Sequence, residues 1–169
     1  EVKHGNFYES SGLYAKSQIV AYPITEPEGT WAKMTAPFTQ NQRIPDRYFV
    51  EGLTLFNDKL YVLTWQEGTA FVYDANNFSL IENLNYKGEG WGLTNDGKRL
   101  IRSDGSNTLF FHNAENFSVE RTLSVNYKQQ AIINLNELEY AEGFIWANIW
   151  HDNRIVKINP ATGDVIGVM

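Results

Sequence analysis

Two glutamates and an asparagine stand at the start of apolar segments in this sequence. Glu51 precedes Gly52-Leu53, and Asn136 and Glu137 precede Leu138. A carboxyl group held where water is scarce has a raised pKa and can act as a general acid or base. The alternative is structural, because a glutamate in such a place also accepts hydrogen bonds from backbone N–H groups. For a glutamate chosen without further information, the structural role is favoured.

Three tryptophans lie next to segments of the same kind. Trp91 precedes Gly92-Leu93, whereas Trp65 and Trp150 follow apolar runs. Indoles that converge from neighbouring strands can form a cage that stacks on a small ligand or binds a cation through the ring faces. Packing between sheets is the usual role of aromatic side chains, and the spacing alone leaves both roles open.

Metal and nucleophile patterns are weak. His4, His112 and His151 show no ligand spacing, so a histidine-based metal site is not expected. The chain has no cysteine, which excludes a thiol nucleophile and a cysteine zinc site. The glycine-rich residues 88–92 lead into a strand-like segment and therefore do not resemble a phosphate loop at a helix N-terminus.

The elements that must position these residues are short strands. Apolar or alternating runs rich in β-branched and aromatic residues are separated by turn pairs such as Asn57-Asp58, Asp96-Gly97 and Glu142-Gly143. Amphipathic stripes of helical period are scarce. The pattern predicts an all-β chain of antiparallel meanders.

These runs recur in register. Leu60-Tyr61 and Trp65 are matched 85 residues later by Ile145-Trp146 and Trp150. A third copy lies between them, about 40 residues after the first, and Phe7-Tyr8 begins part of a fourth. A period of about 40–45 residues with about four strands is typical of a β-propeller blade. A β-sandwich is the alternative, but it predicts no repeat of this period.

We therefore predict a single β-propeller domain over residues 1–169. It would be present as about three and a half blades, with units at roughly 5–48, 49–87, 88–133 and 134–169. The chain starts at Glu1 without a methionine and ends at Met169 inside an apolar run, so we expect it to continue at both ends.

Charge and hydropathy limit the partners. The chain has 14 Lys and Arg residues against 20 Asp and Glu residues, and the net charge of −6 argues against a nucleic-acid backbone or an anionic membrane. No stretch approaches the roughly 18 consecutive apolar residues of a membrane-spanning helix.

Eight segments, in order and at matching spacing, resemble the plant and bacterial glutaminyl cyclase (glutamine cyclotransferase) family. Each is short, but together they cover nearly the whole chain and make a specific signal. The segments are residues 8–14, Glu51-Gly52-Leu53-Thr54-Leu55, residues 63–65, residues 68–74, Gly90-Trp91-Gly92-Leu93-Thr94, Ser103-Asp104-Gly105-Ser106, residues 134–140 and residues 146–150.

The resemblance implies a five-bladed propeller that converts the N-terminal glutamine of a peptide or protein to pyroglutamate and releases ammonia. It implies an acyltransferase that needs no cofactor and is periplasmic or secreted. Glu51 would be the acid/base, Trp65, Trp91 and Trp150 would form the aromatic pocket, and Asn136 would hydrogen-bond the substrate. Glu137, next to Asn136, would assist.

The sequence also departs from the family. The family's glutamine-bearing strand before Phe7 and its basic residue after Met169 are absent, residues 23–47 form a longer segment than usual, and Val50 replaces a common glycine and would narrow the approach to Glu51. Two alternatives therefore stay open. The protein could be a non-catalytic propeller that binds a peptide terminus, or the chain could be an inactive fragment of the enzyme.

Overall fold

The computed structural model describes residues 1–3, 5–24 and 38–169, and these contain strands and turns but no helix. Accordingly, no helix among them is long and apolar enough to cross a membrane. The strands are β1 Val2–Lys3, β2 Asn6–Ser11, β3 Gln18–Pro23, β4 Gln40–Arg43, β5 Val50–Phe56, β6 Lys59–Thr64, β7 Thr69–Asp74, β8 Leu80–Asn85, β9 Leu93–Asn95, β10 Leu100–Arg102, β11 Thr108–His112, β12 Val119–Ser124, β13 Asn126–Tyr127, β14 Gln130–Ala131, β15 Leu135–Ala141, β16 Phe144–Ile149, β17 Ile155–Ile158 and β18 Val165–Val168.

The described residues form four four-stranded antiparallel sheets, one after another along the chain. They are β1–β4, β5–β8, β9–β12 and β15–β18, each in sequence order, and the hairpin β13–β14 lies between the last two. The predicted all-β chain of four-stranded repeats is confirmed. The count differs, because the first unit is a full four-stranded sheet rather than half a blade. Its β1 has two residues and its β4 reads Gln-Asn-Gln-Arg, so neither strand carries an apolar pattern.

The sheets are arranged like the blades of a propeller. Strand β5 contacts β9, and β9 contacts β15, so the first strands of three successive sheets lie side by side. Strand β5 also contacts β2 of the first sheet. Residues at matching positions of different sheets are thereby brought close together.

Three apolar cores fill the spaces between neighbouring sheets. Strand β6 shows how the sequence specifies this packing, because Leu60 and Val62 join the core shared with the first sheet, whereas Tyr61 and Leu63 join the core shared with the third. Successive side chains of a strand point to opposite faces, so a strand buried on both faces is apolar throughout. The third core joins the last two sheets.

Strands β5 and β15 carry a bulge at the same place. In β5, Val50 pairs with Thr64 and Leu53 pairs with Val62, which leaves two residues opposite one. In β15, Leu135 pairs with Ile149 and Leu138 pairs with Ala147 in the same way. A bulge changes the direction of the side chains within it and is common beside functional sites.

Two glycines allow the first strands to approach each other closely. A Cβ on Gly52 would lie 2.5 Å from the backbone nitrogen of Leu93, and one on Gly92 would lie 2.1 Å from the carbonyl oxygen of Asn136. Only a residue without a side chain fits at either place. The Glu-Gly-Leu and Trp-Gly-Leu motifs therefore have a packing reason for their glycines.

Candidate active site

A cavity of about 300 Å³ opens where the second, third and fourth sheets meet, and it collects most of the residues predicted from the sequence. Five of the six predicted site residues line it, together with one that was not predicted. The lining residues are Phe49, Glu51, Trp65, Trp91, Asn136 and Trp150.

Trp65 and Trp150 reach the cavity by equivalent routes. Each directly follows the second strand of its sheet, β6 or β16. The backbone N–H of Trp65 donates to the carbonyl of Phe49 at 2.7 Å, and that of Trp150 donates to the carbonyl of Asn134 at 2.8 Å. The 85-residue repeat found in the sequence thus brings the two indoles to the same cavity.

The cavity walls are two edge-to-face aromatic pairs. The ring centroids of Phe49 and Trp65 are 5.7 Å apart at 64°, and those of Trp91 and Trp150 are 5.4 Å apart at 81°. Such pairs are favourable beyond their buried area. Trp150 remains 48% exposed, so one wall is open to solvent. Phe49 was missed in the sequence, although it lies two residues before Glu51, a spacing that places side chains on the same side of an extended segment.

Glu51 lies in the bulge of β5 with its side chain half-buried at the cavity. Burial, and after it the negative charge of Glu89, raises the pKa of Glu51 to about 7. Within the described part of the chain, no N–H or O–H group donates to its carboxylate. The Glu51 carboxyl is therefore available to a ligand, whereas its backbone carbonyl accepts a hydrogen bond from Ser10 Oγ at 2.5 Å.

Asn136 holds the matching position in the bulge of β15. The Oγ of Ser103, which is fully buried, accepts from the N–H of Gly92 at 2.8 Å and donates to the carbonyl of Asn136 at 2.7 Å. This one hydroxyl joins the strand entries that carry Trp91 and Asn136. The Ser-Asp-Gly-Ser motif therefore helps to hold the site together through Ser103, although none of its side chains lines the cavity.

Glu137 lies apart from the other predicted residues. It lines a second cavity of about 240 Å³ with Glu1, Tyr8, Glu9, Ser10 and Leu53. Glu137 keeps an exposed surface, but the protein atoms packed around its carboxyl reduce its solvation and raise its pKa to about 8. The charge of Glu51 makes a smaller contribution in the same direction. Glu137 therefore does not line the aromatic cavity.

Glu89 is the second residue that the sequence reading missed. Its Oε2 accepts hydrogen bonds from Trp65 Nε1 at 2.9 Å and Trp91 Nε1 at 2.8 Å, and its Oε1 accepts one from Gln66 Nε2 at 3.2 Å. These hydrogen bonds, led by that from Trp91, hold the pKa of Glu89 below its usual value. In the sequence Glu89 stands between two glycines, and the segment drew attention only for those glycines.

Of two departures from the family pattern, Val50 and the long segment 23–47, the structure describes the first fully and the second only in part. Val50 is buried in the core between the first and second sheets and does not line the cavity, so the expectation that it narrows the approach to Glu51 is not met. Strand alternation turns its side chain away from the site. Most of the long segment 23–47 lies outside the described residues, since residues 25–37 are not described.

The histidines occupy unrelated places. His112 is buried in the third sheet, and the ring of His151 lies against that of Trp150 at a tilt of 37°, with ring centroids 3.9 Å apart. His4 lies outside the described residues. Over residues 1–3, 5–24 and 38–169, no group of three or more His, Cys, Asp or Glu side chains is placed to hold a metal ion.

Comparison with known proteins gives the same family as the motifs. A family model described as glutamine cyclotransferase matches residues 1–169. The chain belongs to the glutamine cyclotransferase family. Within this family, a glutaminyl-peptide cyclotransferase of Arabidopsis thaliana is 34% identical over 161 residues, which are 95% of this chain and 48% of the relative. The resemblance seen in the sequence is confirmed.

Solved structures agree on the fold. The crystal structure of Myxococcus xanthus glutaminyl cyclase superposes with a TM-score of 0.85 at 34% identity, over 98% of this chain and 66% of that one. A computationally designed protein, Ika8, matches over 100% of this chain and 47% of its own with a TM-score of 0.55 at 13% identity, which shows a shared fold alone. The family member described here thus spans about half the length of its Arabidopsis relative and two thirds of the Myxococcus chain.

Proposed function

We propose that the protein is a glutaminyl-peptide cyclotransferase that converts the N-terminal glutamine of peptides or proteins to pyroglutamate and releases ammonia. The observation that carries this proposal is the Glu51 carboxyl, whose pKa is raised to about 7, inside an aromatic cavity that also contains Asn136. The names of the relatives in the glutamine cyclotransferase family support the same activity.

The cavity suits a glutaminyl residue. Its volume of about 300 Å³ is at the lower end for small-ligand pockets, and its walls are mainly indole and phenyl rings. The aliphatic part of a glutamine side chain packs on such rings, and the carboxamide of Asn136 offers both a donor and an acceptor for the substrate's polar groups.

The reaction requires a proton to be moved within one residue. The α-amine nitrogen of the substrate attacks the side-chain carbonyl carbon, and a new N–C bond closes a five-membered lactam. The bond from this carbon to the amide nitrogen then breaks, and ammonia leaves. One proton passes from the attacking amine to the leaving nitrogen, so no water or co-reactant is consumed. We assign this transfer to Glu51, first as base and then as acid.

The pKa of Glu51 fits both roles. A group with a pKa near the operating pH balances the fraction in the correct protonation state against the driving force for transfer. Because the attack is intramolecular, orientation within the cavity supplies much of the remaining acceleration. Trp65, Trp91 and Trp150 would provide that orientation, and Asn136 would fix the polar end of the substrate.

We propose further that the whole protein closes as a five-bladed ring, as the family resemblance implies, with this chain supplying four blades. Export to the periplasm or secretion also remains a prediction from the resemblance. Because its pKa of about 8 leaves it mostly protonated at neutral pH, Glu137 would assist from the neighbouring cavity rather than contact the substrate. An experimental structure of the intact protein would test the blade number directly.

Activity is tested by incubating the purified intact protein with a peptide that begins with glutamine. We expect stoichiometric ammonia and a peptide mass lower by one ammonia. The matched control is the same peptide with an acetylated N-terminus, in which the nucleophile is blocked. Tight binding of the free peptide without release of ammonia would instead support a binding module and contradict the proposal.

A further inference from the structure

We propose that Glu89 is a positioning residue of the glutaminyl pocket, whose carboxylate fixes the orientation of Trp65 and Trp91 and places a negative charge beside Glu51. The expected effect of Glu89 on catalysis rests on the proposed function. The pair of hydrogen bonds from Trp65 and Trp91 to Glu89, which we call the clamp, does not. Glu89 does not line the cavity itself, and we therefore do not assign it contact with the substrate.

The geometry of the clamp is convergent. Trp65 follows β6 of the second sheet and Trp91 precedes β9 of the third, yet both indole N–H groups donate to one oxygen of Glu89, at 2.9 and 2.8 Å. An indole has a single donor and no acceptor, so this bond sets the rotation of the ring. Hydrogen bonds to a carboxylate are about twice as strong as neutral ones. The second oxygen is held by Gln66 at 3.2 Å.

The backbone at Glu89 is itself fixed from the core side. Arg102 is only 1% exposed, and its guanidinium donates to the carbonyl groups of Glu89 and, at 3.4 Å, Lys87. The guanidinium lies between the rings of Tyr86 and Phe110, at 4.8 and 4.4 Å from their centroids. The segment carrying Glu89 is thus anchored to the third sheet.

The charge of Glu89 acts on Glu51 as well. Because the indole hydrogen bonds lower the pKa of Glu89, it is ionised at neutral pH, and its charge adds to the effect of burial in raising the pKa of Glu51. Among the described residues, Glu137 on β15 also interacts electrostatically with Glu51. With its own pKa raised to about 8, Glu137 is mostly protonated at neutral pH, so Glu89 supplies the negative charge that favours protonated Glu51, from the side of the indoles.

Two substitutions separate the two effects. Glu89→Gln keeps an oxygen acceptor for the indoles but removes the charge, whereas Glu89→Ala removes both. We expect Glu89→Gln to move the acidic limb of the kcat/KM pH profile to lower pH with KM changed less than about threefold. We expect Glu89→Ala to show the same shift and to raise KM about tenfold, the equivalent of about 1.4 kcal/mol. Glu120→Gln, on the outer strand β12, is the control for loss of one charge.

The deciding readout does not depend on turnover. In a ¹⁵N–¹H spectrum of the intact protein, two of the five tryptophan indole signals, assigned with Trp65→Phe and Trp91→Phe, should move in Glu89→Ala and stay in Glu120→Gln. In the unmodified protein the same two signals should shift together when Glu89 is protonated at low pH, which keeps the test valid if Glu89→Ala does not fold. Signals that stay fixed in both experiments would overturn the clamp. Movement of the signals in a protein without cyclase activity would support the clamp and refute the proposed function alone.

Discussion

Trp65 and Trp150 hold equivalent positions in two different sheets and line the same cavity. Each is bonded through its backbone N–H to a carbonyl of the segment that enters the inner strand of its own sheet, that of Phe49 or Asn134. The equivalence explains why a repeat in the sequence predicts a site. Residues at one phase of successive blades converge at the channel, so their chemistry can be combined.

Replacing Trp150 with alanine should weaken substrate binding more than it weakens the fold. Trp150 is 48% exposed, and its main aromatic partner in the cavity is Trp91. Loss of one aromatic wall, worth about 1–1.5 kcal/mol, should raise KM about tenfold with a small change in Tm. The control is Trp146→Ala, which removes an indole outside the cavity. An unchanged KM in Trp150→Ala would show that this ring is not part of the substrate pocket.

Replacing Gly92 with alanine should force strands β9 and β15 apart. The new Cβ would lie 2.1 Å from the carbonyl oxygen of Asn136 and 2.8 Å from Glu137 Cα, both backbone atoms that cannot turn away. Overpacking of this kind costs about 1–3 kcal/mol of unfolding free energy, and displacement of Asn136 should also lower activity. Urea denaturation measures the loss. Gly167→Ala is the control, since its Cβ would meet Lys157 Cβ at 3.4 Å; equal stability of the two variants would contradict the close approach.

His112 should make stability depend on pH on the acidic side. Burial is the main reason that its pKa is lowered from 6.5 to about 4. The neutral ring is held by the carbonyl of Phe117 at Nδ1 (2.7 Å) and by Arg102 Nε–H at Nε2 (3.3 Å). Between these pH values the unfolded chain binds a proton that the folded protein does not, so stability falls as the pH falls from 6.5 towards about 4.

The comparison that checks this is the unfolding free energy of the protein and of His112→Gln across that pH window. The carboxylates titrate in both proteins, so the difference between the two isolates the histidine. We expect the unmodified protein to lose more stability on acidification than the variant. Parallel curves would mean that His112 has an ordinary pKa in the folded state.

The fold was predictable where packing leaves a pattern in the sequence. Strand β6 is apolar at successive positions because it is buried on both faces, and its repeat 85 residues later specifies β16. Strand β4 carries no such pattern, because an outer strand of four polar residues is held by backbone hydrogen bonds to β3. Backbone pairing is independent of side-chain type, and so the first sheet was undercounted.

The site was predictable to the extent that its residues repeat or match family motifs. Glu51 and Asn136 share a position in two bulges, and the motifs point to both. Glu89 has no counterpart at that phase, and its role depends on two indoles that approach from different sheets. Glu137 was predicted to belong to the site but lies outside the aromatic cavity, because the bulge of β15 places the adjacent residues Asn136 and Glu137 in two different cavities.

The role of Glu51 as the acid/base is tested by the pH dependence of kcat/KM for a glutamine-leading peptide, measured for the protein and for Glu51→Gln. With a pKa of about 7, Glu51 must be ionised to accept the proton of the α-amine, so kcat/KM should fall as the pH drops below that value. In Glu51→Gln, kcat should fall by roughly 10²–10⁴-fold and this limb of the profile should disappear, while KM changes little. A Glu51→Gln variant that turns over as fast as the unmodified protein, with the same profile, would contradict the assignment of Glu51 as the acid/base.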